Sequence, residues 1–319
     1  MIPSADFVEA RRRLEAKPQA AGEKLVDLPS AIERIRDGDH IAIGGCLFSR
    51  SPLAALTEVL RQRRRELTLS RNLMCYEGEL FMAAGAVVKL MTSWFDIALP
   101  WGLSRKLRED VEGGLVQFEE WSHLGLGLRY RAGAMGVPFL PTLTMIGSDL
   151  MEVTDTKTMV CPFTGEKLCL IPALFPDVAL IHVHRADRFG NCQIDGYPHM
   201  DVDIARAATT VIVTAEEIID EDEVRSHPDR TLIPGLVVDA VVEVPYGSFP
   251  HECYGLYEAD FDHFEAYTDE IKEKGTGAIN NYLERYVYNV PNHQAYLALF
   301  GEGVLDRQRQ NAHELVGER

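Results

Sequence analysis

The sequence predicts an open, mainly parallel α/β sheet with crossover helices, followed by a C-terminal helical extension. Short apolar runs typical of buried strands alternate with segments of helical periodicity through most of the chain. Glycine and proline stand at many of the junctions, and the last third turns aromatic and acidic and then helical. Such alternation is typical of parallel strands joined by crossover helices.

The individual elements follow in order along the chain. We predict strands at 40–44, 66–74, 86–92, 115–119, 178–184, 210–215 and 240–245. We predict helices at 4–16, 27–36, 52–62, 78–84, 104–112, 121–135, 203–208 and 267–286, the last with a break at Gly275 and Gly277. Without a repeat or linker, the chain divides into a lead-in (1–23), one α/β domain (24–265) and a helical extension (266–319).

Composition narrows the class of protein. The 319 residues are 46% apolar, enough for one large core, and 32 basic against 49 acidic residues give a net charge of −17. This charge argues against a nucleic-acid partner. Six cysteines without a CxxC pair indicate neither a zinc site nor a disulfide framework, and no apolar run reaches the ~18 residues of a membrane span. We therefore expect a cytoplasmic protein with no membrane contact.

The most informative segment is the apolar run that ends in Gly44-Gly45 and is followed by a helix. Two glycines after a buried strand allow a ligand to approach the backbone, and their N–H groups suit a phosphate or a developing oxyanion. A tight turn that needs a positive φ explains the pair equally well. The dinucleotide fingerprint GxGxxG is absent from this segment.

This segment resembles the N-terminal signature of family I coenzyme A transferases, in which Asp-Gly and an apolar strand lead to Gly-Gly-Phe and Gly-x-Pro. Cys46 stands where Phe is usual and Arg50 where Gly is usual, and the Arg-x-Pro variant resembles the glutaconate branch. The matching residues are Asp37, Gly38, Ile41, Ala42, Ile43, Gly44, Gly45 and Pro52. Similarity to the glutaconate-type A (alpha) subunit continues through 136–141, 147–148, 162–167, 177–182, 201–205, 214–219, 234–239 and 253–257.

The resemblance implies a two-chain enzyme that exchanges coenzyme A between an acyl thioester and a carboxylate. The nucleophile of the family is a glutamate in a Glu-Asn-Gly or Glu-Ser-Gly motif of the B half, and this chain has no such motif; Glu77-Gly78 and Glu302-Gly303 come nearest. We therefore expect a B subunit to supply it in a hetero-oligomer. Coenzyme A thioester is expected as a substrate, with no tightly bound cofactor and no metal.

Four residues are predicted to bind substrate. Gly44, Gly45 and Arg50 come from the glycine segment, and Arg50 has the planar fork that grips a carboxylate. Ser148 offers a donor and an acceptor, although Gly-Ser-Asp is equally typical of a turn.

Two alternatives stay open. In the first, Glu119 or Glu120, at the end of a strand, is the general base of a ring-opening thioester hydrolase on the same scaffold. The competing interpretation of this pair is charge complementation at the next helix N-terminus. The second alternative is a non-catalytic binding subunit that only stabilises its partner.

Overall fold

The computed structural model describes residues 4–17, 22–97 and 102–316. In these residues the strands are β1 (His40–Ile43), β2 (Leu67–Met74), β3 (Val87–Phe95), β4 (Gln117–Glu120), β5 (Phe139–Thr142), β6 (Lys157–Val160), β7 (Lys167–Pro172), β8 (Val178–Ala186), β9 (Cys192–Gln193), β10 (Thr210–Ile218), β11 (Thr231–Ile233) and β12 (Ala240–Glu243). The helices are α1 (Ser4–Glu15), α2 (Leu28–Ile32), α3 (Leu53–Arg61), α4 (Tyr76–Ala83), α5 (Arg105–Glu112), α6 (His123–Met135), α7 (Leu150–Val153), α8 (Asp201–Ala207), α9 (Glu221–Ser226), α10 (Phe261–Lys274), α11 (Ala278–Leu283), α12 (His293–Leu297) and α13 (Val304–Val316).

The large sheet is parallel along its main path, in the order β12-β10-β8-β1-β2-β3-β4. Ile41 of β1 stands between Leu69 of β2 and Val178 of β8. β9 pairs antiparallel with the end of β8, and β11 pairs antiparallel with β9. The predicted mainly parallel sheet is confirmed.

Helices cover both faces of this sheet. One face packs against α2 to α5 through residues such as Ile32, Leu56 and Leu80, and the other packs against α6 and α8 through Leu126 and Ile204. Burial of these side chains supplies the main stabilising term of the fold. The sheet is therefore the middle layer of three.

The first two C-terminal helices, α10 and α11, belong to the first of these two cores, whereas α12 and α13 pack on a smaller cluster around Phe249. Phe264 and Tyr267 of α10 and Tyr282 of α11 are buried with α3 and α4, and the Tyr282 hydroxyl lies 3.0 Å from that of Tyr76. The predicted C-terminal helical extension is thus present and packed into the domain. The predicted boundary at residue 266 falls within α10, and the division into three segments stays a prediction.

Most predicted elements lie where the residue pattern places them. The predicted break after α10 is observed, because Gly275 ends the helix with a φ of +78°. The helix predicted at 27–36 is shorter and spans only α2. A three-stranded antiparallel sheet in the order β5-β7-β6 was not predicted. Within the described residues, no helix combines the length and apolarity that crossing a bilayer requires.

Candidate active-site crevice

The site is built at the point where the order of the parallel strands reverses. From β1 the chain continues through α3, α4 and α5 to β2, β3 and β4 on one side, whereas β8 leads past α8 to β10 on the other. In open α/β sheets the carboxyl ends of the strands at such a switch point form a ligand crevice. Gly44 and Gly45 directly follow β1 at this crevice.

Both glycines are closely packed, and Gly45 has no room for a side chain. Gly45 has a φ of +67°, and a Cβ on it would overlap the carbonyl oxygen of Ser49. A Cβ on Gly44 would lie 3.0 Å from the Oδ1 atom of Asp201 and 3.2 Å from the Cα atom of Ile181. A side chain at Gly45 would clash with backbone, so a tight turn with a positive φ accounts for Gly45.

The N–H groups of the turn are not available to a ligand. Gly44 donates to the carbonyl oxygen of Leu180 (2.8 Å), and Gly45 donates to Oδ1 of Asp201 (2.7 Å). The expectation of free N–H groups at this turn is therefore wrong. The two glycines instead admit the Asp201 carboxylate, which was not singled out from the sequence because it lies 156 residues from Gly45.

The same carboxylate holds Arg50. Nη1 of Arg50 donates to Oδ2 of Asp201 (2.6 Å) and to the carbonyl oxygen of His182 (3.0 Å), and Nη2 donates to that of Tyr197 (2.8 Å). Both side chains of the ion pair are buried, with 1% and 0% exposure. The prediction that Arg50 clamps a substrate carboxylate must be corrected in one respect, since its guanidinium already binds Asp201. Substrate binding by Arg50 otherwise stays a prediction.

A second polar group lies at the first residue of α6. His123 is exposed, and Nδ2 of Asn72 donates to its carbonyl oxygen (2.8 Å) and lies 3.4 Å from its Nδ1. Oγ of Ser93 is also 3.4 Å from Nδ1 and donates to the carbonyl oxygen of Asn72. The Nε2 atom of His123 has no hydrogen bond to any described residue. Asn72 and Ser93 lie at the carboxyl ends of β2 and β3, so this group flanks the crevice.

A third histidine, His199, lies in the segment that precedes α8. Its pKa is lowered to about 4, mainly by burial; Asp201 opposes this shift, and the charges of Arg50, Arg71 and His123 contribute to it. The His199 ring packs against Tyr197, with 5.4 Å between ring centroids. The ring is neutral near pH 7.

Oδ1 of Asn72 is also unusual, because it is buried without a hydrogen-bond partner among the described residues. Sequence reasoning missed both Asn72 and His123. The sequence does contain a signal for both residues. Asn72 stands near the end of the predicted strand 66–74, and His123 follows the Glu119-Glu120 pair at the end of another predicted strand.

Ser148 lies in the loop after β5 and is exposed. Its Oγ donates to the carbonyl oxygen of Met145 (2.8 Å), whose sulfur would lie 2.9 Å from a Cβ on Gly125 in the first turn of α6. The loop therefore packs near the start of α6. No hydrogen bond joins Ser148 to Gly44, Gly45 or Arg50 in the described residues, and substrate binding by Ser148 stays a prediction.

The carboxylates predicted as alternative bases differ from each other. Glu119 accepts from Nη1 of Arg129 (2.7 Å) and Nε1 of Trp121 (2.7 Å) and forms an ion pair with Lys89. Burial acts to raise its pKa, but these three partners outweigh burial and hold the pKa below its ordinary value. Glu119 lines a cavity of about 400 Å³ with Lys89 and Arg129. Glu120, at the carboxyl end of β4, is exposed.

Two buried clusters complete the carboxyl end of the sheet. Glu77 binds Nη1 of Arg71 (2.6 Å) and is 1% exposed, directly after β2. Glu216 accepts from His182 (2.7 Å), from Tyr257 (2.5 Å) and from the backbone N–H of Tyr246 (2.7 Å). Both carboxylates are fully engaged inside the chain.

Comparisons with known proteins agree with this fold. The family model described as coenzyme A transferase matches residues 26–244. The A-type subunit of glutaconate CoA-transferase from Acidaminococcus fermentans is 34% identical over 87% of this chain and 92% of its own length. The crystal structure of glutaconate coenzyme A-transferase from the same organism superimposes with a TM-score of 0.85, over 90% of this chain and 95% of that chain.

Two further relatives are similar. The A-type subunit of 3-oxoadipate CoA-transferase from Pseudomonas knackmussii is 34% identical over 88% of this chain and 99% of its own length. An uncharacterized protein of Archaeoglobus fulgidus is 40% identical over 89% of this chain, which spans only 64% of that longer protein.

Proposed function

Because the chain belongs to the coenzyme A transferase family, we propose that it is the A-type half of a two-chain acyl-CoA:carboxylate CoA-transferase of the glutaconate type, with a B subunit that supplies the catalytic glutamate. Coenzyme A thioester is its substrate. The chain provides one wall of the site, and the homologous partner provides the other.

One observation carries this proposal: the buried carboxylates around the crevice are already used. Asp201 and Glu77 are locked in ion pairs with Arg50 and Arg71, with 0% and 1% exposure of the carboxylate side chains. A nucleophile must approach a thioester carbonyl carbon with an unpaired oxygen. The attacking glutamate is therefore best supplied from another chain.

The proposed reaction proceeds by two covalent intermediates. A carboxylate oxygen of the partner's glutamate attacks the thioester carbonyl carbon, the C–S bond breaks, and coenzyme A leaves as thiolate from an acyl-glutamyl anhydride. The thiolate then attacks the glutamyl carbonyl, which releases the first carboxylic acid as its anion. The second carboxylate substrate reverses both steps with its own acyl group, so no bond is hydrolysed.

In this reaction His123 donates from Nε2 to the carbonyl oxygen that gains negative charge. Its ring is held at Nδ1 by Asn72 and Ser93, and it stands at the N-terminus of the 13-residue helix α6, whose dipole favours negative charge. Substrate binding by Ser148 remains part of the proposal, and the substrate packs against the turn at Gly44 and Gly45, whose N–H groups are already bonded within the chain. Arg50 acts by holding the loop that follows Gly45, through its ion pair with Asp201.

Acyl exchange between two carboxylates, measured with and without the B chain, tests the assignment. The isolated chain should show no exchange, and the two-chain complex should show exchange that exceeds thioester hydrolysis. Turnover by the isolated chain at the rate of the complex contradicts the proposal. A complex that only hydrolyses the thioester supports the hydrolase alternative, and a partner equally active alone supports a merely stabilising role for this chain.

His123→Ala should lower the kcat of exchange about 10²–10³-fold, the usual cost of losing one oxyanion donor. His123→Gln, which keeps an N–H donor, should retain more activity. His313→Gln changes an exposed histidine on α13 and is the matched control. Equal kcat values for His123→Ala and wild type would remove His123 from the mechanism.

A further inference from the structure

The arm, defined as residues 139–172, carries an unusual share of exposed apolar surface. It contains β5, β6, β7 and α7. The most exposed large apolar side chains of the arm are Leu143 (59%), Val153 (70%), Val160 (66%) and Phe163 (95%). Large exposed apolar side chains gathered on one element are typical of interaction sites in soluble proteins.

The outer strand of the arm is also incomplete as part of a sheet. All four residues of β6 are exposed, and within the described residues β6 pairs with β7 alone. An open edge strand presents unpaired N–H and C=O groups, which native proteins normally shield. Phe163 stands at the tip of the hairpin that joins β6 to β7, and this hairpin is closed by the hydrogen bond from Cys161 N–H to the Glu166 carbonyl oxygen (2.8 Å). A docked chain would cover both features.

The arm is continuous with the crevice. Its buried Met145 packs against the first turn of α6 beside Gly125, and α7 lies against β4. A chain that delivers a glutamate to the crevice at His123 has to cross this rim. The same chain therefore meets the base of the arm.

Charge favours a different chain over a second copy of this one. The net charge of −17 makes two copies repel each other. The tip of the arm, residues 156–165, contains Lys157 and no Asp or Glu, although 49 of the 319 residues are acidic. The tip itself therefore adds no acidic group, although Asp155 and Glu166 flank it.

We propose that the arm docks on the nucleophile-bearing B chain, with Phe163 as the apolar anchor and β6 as the covered edge strand. The proposal rests on the proposed function and goes beyond it by assigning the surface. Aromatic side chains that enter a partner's pocket carry much of the binding energy of an interface.

The experiment uses the full chain and its cognate B chain, which is the coenzyme A transferase chain that contains the Glu-Ser-Gly or Glu-Asn-Gly motif. Titration calorimetry measures the dissociation constant of the complex. Phe163→Ser should weaken binding by about tenfold or more. Leu315→Ser, which removes a 74%-exposed leucine on α13, is the matched control and should change the constant less than about twofold. Amide hydrogen exchange at 157–160 should slow when B is added.

Equal affinities for wild type and Phe163→Ser, or unprotected amides at 157–160, would overturn the assignment. So would sedimentation showing that the chain alone self-associates through Phe163, because the occupant is then a second copy. The two proposals fail separately. An active complex unaffected by Phe163→Ser removes only the docking surface, whereas a tight, Phe163-dependent complex without acyl exchange supports the surface and removes the transferase proposal.

Discussion

Arg50 and Arg129 are both buried arginines paired with a carboxylate, but only one pair is closed to solvent. Arg50 and Asp201 expose 1% and 0% of their side chains, and Asp201 also binds the backbone of Gly45. Glu119 of the second pair is 23% exposed, shares its charge with Lys89 and borders a cavity. The closed pair fixes the geometry of a turn, whereas the open pair joins a helix to an edge strand and is partly screened by solvent.

Removing Asp201 should produce the largest loss of stability. Asp201→Ala leaves the Arg50 guanidinium buried without its counter-charge, which typically costs about 3–5 kcal/mol of the free energy of unfolding. Urea denaturation measures this change. The control is Asp195→Ala, which breaks the half-exposed pair with Arg185 and should cost about 1 kcal/mol or less. Similar losses in the two variants would mean that burial does not distinguish these pairs.

Substitution in the Gly44-Gly45 turn, which binds Asp201, should cause the next largest loss of stability. Gly45→Ala forces a Cβ against the Ser49 carbonyl at a positive φ and should cost about 2–3 kcal/mol, as strain and steric overlap add. Gly85→Ala has a similar φ of +61° with open space around the position, so it should cost only about 1 kcal/mol. Thermal unfolding of both variants measures their losses of stability, and the difference between them separates the steric overlap at Gly45 from the backbone strain that both positions share. The idea of a tightly packed turn is wrong if Gly85→Ala costs as much.

Glu119→Gln tests the solvent-accessible Arg129–Glu119 pair. It should lower the free energy of unfolding by about 1–2 kcal/mol at pH 7, the usual contribution of hydrogen bonds to a charged group. Because the pKa of Glu119 is lowered in the folded chain, its contribution is complete above the ordinary value of 4.5 and is lost as the pH falls through the folded pKa. The stability difference from wild type should therefore shrink in acid. A difference that grows below pH 4.5 would contradict the lowered pKa.

The kinetics of Glu119→Gln and Glu120→Gln separate transferase from hydrolase. If a partner supplies the nucleophile, neither change should alter the rate of acyl exchange more than a few-fold. Loss of a general base would lower the rate by about 10²–10⁴. A loss of that size in a stable Glu120→Gln complex would favour the hydrolase alternative.

Ser148→Ala is expected to have the smallest effect. Its hydroxyl is exposed and bonds only within its own loop, so the stability change should stay within about 0.5 kcal/mol. An increase in the KM of the carboxylate substrate, with kcat unchanged, would show that Ser148 binds substrate as predicted. Unchanged kinetics would leave it as a turn residue.

The sequence predicts the elements better than the contacts between them. The strand, glycine turn and helix around Gly44 and Gly45 were recognisable because each has a local signal: an apolar run, a glycine pair and a 3.6-residue period. The partner of Arg50 was not, since Asp201 lies 151 residues away and reaches it only through the order of β8 and β1. Local sequence patterns do not indicate which strands are neighbours in the sheet.

The antiparallel sheet of the arm was missed for another reason. All four residues of β6 are exposed, so the strand lacks the alternation of apolar and polar residues that a half-buried strand shows. Its sequence, Lys-Thr-Met-Val, suits many conformations. Likewise, the ion pairing of Glu119 depends on Lys89 from a neighbouring strand and Arg129 from the following helix, which only the assembled sheet brings together.

The contact between Tyr76 and Tyr282 has a consequence for synthesis on the ribosome. The two residues are 206 positions apart, and the helices that carry them share one core. At about 5–20 residues per second, α4 emerges roughly 10–40 s before its C-terminal cover exists. During that interval the apolar side of α3 and α4 is uncovered in the nascent chain, which makes this face the natural target of a chaperone.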